Sequence, residues 1–159
     1  MAASNRWLAI VGALIALAVV AGIVVTSFAR GERLYPEGSP ERTVQDYLHA
    51  VSDRDASKAT SYLSPELTTR CEQTPRDGIT NRSASSLRAT LDRTTYRSDR
   101  QAEVQVRLTE TYNESPFMGG NSTNTQVFVL TQTSGGWRFS ESPWPLYCPP
   151  PTPNAPLGR

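Results

Sequence analysis

The chain has 159 residues, with 16 basic and 15 acidic side chains and a formal net charge of +1. Setting aside one apolar stretch and both ends leaves roughly 110 residues, enough for one domain with a modest core. Only Arg6 precedes the apolar stretch, so from Arg30 onward 15 basic residues balance 15 acidic ones. A neutral domain without a basic run offers nucleic acid no electrostatic footing. Lys58 is the only lysine beside 15 arginines, a bias that accompanies GC-rich bacterial genomes.

Leu8 to Thr26, LAIVGALIALAVVAGIVVT, carries no charge across 19 residues. As a helix it spans about 28 Å, close to the thickness of a bilayer's hydrocarbon core. Trp7 and Phe28 flank it, as interfacial aromatics do. A cleaved signal peptide is the competing reading, with Ser27-Phe28-Ala29 as the small-x-small site. The run exceeds the usual signal-peptide core, which favours an uncleaved transmembrane anchor over residues 1–29. No cysteine follows closely to take a lipid. Ala18 and Gly22 form a small-xxx-small pair, a weak signal for self-association.

Arg6 before the segment and Arg30 and Arg33 after it leave the orientation nearly balanced. The two cysteines, Cys71 and Cys148, tip it outward. An isolated pair reads as a disulfide in an oxidising compartment, with two unrelated buried thiols as the alternative. The expected location is therefore the cell membrane, single-pass, with the C-terminal domain outside the cytoplasm.

Residues 30–38 read as a polar linker with Pro36 and two glycines. Ser39-Pro40-Glu41 then opens a helix: serine caps, proline takes the first position and the acid meets the positive end. Val44, Tyr47, Leu48 and Val51 form a one-sided stripe, predicting a helix over Pro40–Ser52. Asp55 caps a second short helix carrying Ala56, Ala59, Tyr62 and Leu63, and Ser64-Pro65-Glu66 opens a third with Leu67 and Cys71. Thr74–Gly78 is a turn cluster that ends the helical part.

The period then changes from helical to alternating. Leu87, Ala89 and Leu91 mark one strand, and Ala102, Val104, Val106 and Leu108 a second. Gln126–Leu130 is a third and Trp137–Phe139 a fourth, with turns at Ser98–Arg100, Met118–Asn121 and Ser134–Gly136. Helices first and strands second predict an α+β domain over residues 39–148, two to three helices packed on a four-stranded antiparallel sheet. The ending from Pro149, PPPTPNAPLGR, cannot bury a core and reads as a disordered tail.

The stretch Glu41–Leu63, with Tyr47, Leu48, Asp53, Asp55, Ala56, Ala59, Tyr62 and Leu63, resembles the opening of the nuclear transport factor 2-like superfamily. The Gln101–Val104 and Gly136–Phe139 strands suit the same cystatin-like cone. The resemblance implies a curled sheet wrapped around the first helix with a pocket between them. It also implies the accessory roles of membrane-anchored bacterial members in envelope machines.

Candidate pocket-lining residues are Tyr47, His49, Glu110 and Trp137. His49 is the only histidine, which leaves no histidine cluster for a metal. Glu110 and Glu141 fall on the inner faces of their strands by alternation, as do Trp137 and Phe139. No catalytic motif, metal set or cofactor fingerprint emerges, so no catalytic residue, metal or cofactor is expected. The leading expectation is a non-enzymatic, membrane-anchored domain that contacts another envelope protein or a second copy. Binding of an apolar small molecule in the cone is the alternative, and an isomerase- or dehydratase-type enzyme a third.

Overall fold

A computed structural model describes residues 34–112 and 119–150. The apolar segment Leu8–Thr26, the head of the linker, Met118 and the tail beyond Pro150 lie outside the described residues. Among the described residues no helix is long and apolar enough to cross a membrane, which says nothing of β-barrels.

Among the described residues four helical segments lead: α1 (Pro40–Ser52), α2 (Ala56–Thr60), α3 (Pro65–Arg70) and α4 (Asp77–Thr80). Four strands follow as an antiparallel meander in sequence order: β1 (Ser86–Ser98), β2 (Gln101–Tyr112), β3 (Gly120–Thr133) and β4 (Gly136–Phe139). The α+β class is the predicted one.

The helix starts follow their capping signals. The hydroxyl of Ser39 accepts from the Arg42 amide at 3.1 Å, Asp55 from Lys58 at 2.9 Å and Ser64 from Leu67 at 3.2 Å. Each cap satisfies an amide that the first turn leaves without a partner. Arg54, with φ 61°, reverses the chain between α1 and α2. One helix was not predicted: Asp77–Thr80 starts within the expected Thr74–Gly78 turn cluster, runs two residues past it and brings Ile79 into the core at 0% exposure.

The apolar stripe of α1 lies against the sheet. Ala102, Val104, Val106 and Leu108 of β2 are buried, while Arg107 between them is exposed. The third strand is longer than the predicted Gln126–Leu130 and takes in Gly120 and Asn121 from the expected turn. Phe128 and Leu130 are buried there, but Val127 is 55% exposed, because no layer among the described residues covers its face. In β1, a register shift between Leu91 and Arg93 leaves Thr94 opposite Val104. Ala89, expected on the buried face, is exposed, and Leu87 and Leu91 are only half-buried. The helices do not reach far enough to cover this edge strand.

The short β4 is held on both sides. Leu130–Thr133 of β3 pairs along one edge. On the other, the Phe139 amide donates to Tyr62 and the Ser64 amide to Phe139, each at 2.9 Å. This contact ties the α2–α3 junction to the sheet.

Candidate functional site

The space between α1 and the sheet is filled by side chains. Tyr47, Phe128 and Phe139 meet there, with ring centroids 4.7 Å apart for Tyr47–Phe139 and 5.7 Å for Phe128–Phe139. All three are at most 1% exposed. Among the described residues an aromatic cluster thus fills the place of the pocket that the resemblance implied. Its tilted and edge-on rings are the arrangement that aromatic quadrupoles favour.

Tyr47 also carries the connection to the end of the domain. Its phenol donates to the carbonyl of Trp144 at 3.0 Å, with that of Pro143 at 3.4 Å. Burial pushes the phenol well above its ordinary pKa, against a smaller opposing pull from the Arg82 charge. It therefore remains a neutral donor.

Residues 140–150 leave β4 and run back over the helices. Leu146 is buried at 2% exposure, and the Trp144–Pro145 bond is cis. The Ser142 hydroxyl donates to the Leu146 carbonyl and accepts from the Cys148 amide. Cys148 is bonded to Cys71, at the C-terminal end of α3, with their Cα atoms 5.0 Å apart. Gly78 of α4 lies under the same segment: a Cβ built there would stand 2.7 Å from the Pro145 carbonyl oxygen. Only glycine permits that approach.

Beside this segment is an ion pair that sequence reading missed. Arg82 donates to Glu110 at 2.7 Å, with side-chain exposures of 8% and 13%. Its guanidinium lies 4.8 Å from the centroid of the Trp144 ring, within cation–π range. The backbone carbonyl of Arg82 accepts from Arg54 at 3.2 Å. Nη1 of Arg82 is buried and has no hydrogen-bond partner among the described residues. In the sequence Arg82 is one arginine of many. Only its neighbours in space, 28 and 62 positions away, distinguish it.

A cleft of about 450 Å³ opens at this pair, between the α4 region and residues 144–147. Pro75, Trp144, Pro145 and Tyr147 give it apolar walls; Asp77, Asn81, Arg82 and Glu110 give it polar ones. A second recess of about 620 Å³ shares Thr74, Pro75 and Tyr147 with the first.

Of the predicted pocket residues, Glu110 lines this cleft, while Tyr47 and Trp137 are packed in the core. His49 is exposed on α1. Glu141 is also exposed, because β4 ends at Phe139 and the alternation does not continue to it. Among the described residues no group of histidine, cysteine or carboxylate side chains could hold a metal ion.

Residues 34–152 match the family described as Lipoprotein LpqB, N-terminal domain. Solved structures with a similar fold include a SEC-C motif-containing protein from Rhodopseudomonas palustris. It is 17% identical over 72% of this chain and 82% of that one, with a TM-score of 0.50. A nuclear transport factor 2-like superfamily protein from Salmonella enterica is 14% identical over 74% of this chain and 92% of that one, with a TM-score of 0.47. A ketosteroid isomerase-like protein from Erwinia carotovora is 14% identical over 63% and 87%, with a TM-score of 0.46. At such identities the likeness concerns the fold alone. No curated protein matches the chain.

Proposed function

Because the chain belongs to the family of the lipoprotein LpqB N-terminal domain, we propose that it is a membrane-tethered accessory domain of the bacterial cell envelope, working by contact rather than by catalysis. The filled cone carries this reading. Acid–base chemistry needs a titratable group within reach of a bound substrate. Among the described residues the packed space between α1 and the sheet holds no carboxylate or imidazole, and its one phenol is engaged with backbone carbonyls. Of the carboxylates at the outer cleft, Glu110 is tied to Arg82 and Asp77 to Asn81. The family takes its description from a lipoprotein, yet both cysteines of this sequence are joined to each other. The tether we assign is therefore the apolar segment Leu8–Thr26, with the domain outside the cytoplasm, where a disulfide persists.

Two measurements on the full chain in its host test this. The protein should resist carbonate extraction and keep its first 29 residues; a mature N-terminus at Arg30 would replace the anchor with secretion. A photoreactive residue in place of the exposed Val127 or Tyr96 should yield a discrete adduct with an envelope protein or a second copy. Failure at both positions, together with uptake of an apolar dye by the folded domain, would transfer the role to small-molecule binding.

A further inference from the structure

The cleft beside Arg82 and Glu110 combines apolar walls with donors and acceptors of both kinds. Its volume, about 450 Å³, falls among ligand pockets of roughly 300–1,000 Å³. Arg82 is paired with Glu110 and Asp77 adds one further negative charge, so the lining disfavours an anionic ligand. Arg82 engages one oxygen of Glu110 and keeps a buried Nη1 without a partner. That unpaired donor favours an incoming acceptor oxygen, while the carboxylate oxygens and the Asn81 carbonyl oxygen can take hydroxyl hydrogens, the Asn81 side-chain N–H already donating to Asp77 at 3.1 Å. A polyproline segment offers carbonyl acceptors but few donors, and so meets only half of this demand. Tyr147, 77% exposed, stands where the two recesses meet and gives an apolar ring face to more than one unit of an extended ligand.

We propose that this cleft binds a neutral, polyhydroxylated ligand of the oligosaccharide class. Ring faces pack on Tyr147 and Trp144, and hydroxyls are shared among Asp77, Asn81, Glu110 and Arg82. The Trp144 ring covers the guanidinium, so engaging Nη1 moves that ring. The inference rests on the cleft and not on the tether. A failure here leaves the envelope reading standing, and the reverse also holds.

The test uses the full chain in phosphocholine micelles, which bring no sugar headgroup. Maltotriose, cellotriose and chitotriose serve as probes, and tri-galacturonate and a PPPTP peptide as competitors of other chemistry. Ligand-observed saturation-transfer spectra should show saturable binding of at least one neutral trisaccharide. Tryptophan emission should change in parallel, and Trp144→Phe should abolish that change. Tyr147→Ala and Asn81→Ala, both at exposed positions, should each weaken binding about 10-fold, a loss of roughly 1.4 kcal/mol. Thr125→Ala on β3 should leave it unchanged. Absence of saturable binding by all three sugars would overturn the proposal. So would a preference for the acidic sugar or the peptide, or parental affinity in both cleft variants.

Discussion

Trp137 tests the register of the last strand. Its neighbour Arg138 is half-buried, while Trp137 and Phe139 are 6% and 0% exposed. This is the alternation expected of a strand with one face on the core. The Trp137 ring also meets Tyr96 at a centroid distance of 6.2 Å. Truncation to alanine should cost about 3–5 kcal/mol, in the range for large aromatic side chains removed from a core. An unchanged denaturant midpoint in Trp137→Ala would place the ring outside the core. Tyr47 and Trp137 were both legible as apolar positions on α1 and β4. What they do was not: both fill space where a pocket was expected. The sequence shows which side chains point inward, but not whether their volumes leave a cavity.

The element that sequence reading passed over, α4, has a role out of proportion to its four residues. The turn signals of Pro75, Asp77 and Gly78 concealed a helical turn whose Ile79 is fully buried. Gly78 separates two accounts of it by sign. In a helix whose face is free, Gly→Ala stabilises by about 1 kcal/mol, the difference in helix propensity. Here the added methyl would meet the Pro145 backbone oxygen at 2.7 Å. Backbone cannot step aside cheaply, and overpacking costs about 1–3 kcal/mol. Gly78→Ala should therefore lower the thermal midpoint; a raised midpoint would detach residues 143–148 from α4.

At the scale of the whole domain, the Cys71–Cys148 bond closes a loop of 77 positions. It joins the end of the helical half to the segment that leaves the sheet. Together with the Tyr47–Trp144 hydrogen bond and the Arg82–Trp144 contact, it fixes one wall of the cleft to the helices. Reduction should lower stability by about 2–4 kcal/mol, mostly by releasing the unfolded chain. Intact protein denatured without reductant should yield no alkylatable thiol. Two reactive thiols in protein taken from its native membrane would remove the disulfide and the chief reason for placing the domain outside.

Local signals were enough to determine the α+β class, the ends of α1, the capped starts of α2 and α3, and the inward residues of β2 and β4. Each depends on neighbours within a few positions: a cap on the amide three residues on, a stripe on the 3.6-residue repeat, a strand face on alternation. Only the tertiary structure decided the filled cone, the uncovered inner face of β1 and the cleft. Those depend on how far one layer extends over another, and on contacts such as Arg82–Glu110 and Arg82–Trp144 that join residues 28 and 62 positions apart. No local pattern encodes such a meeting, because an arginine bound for a buried ion pair is chemically the same in sequence as one bound for solvent.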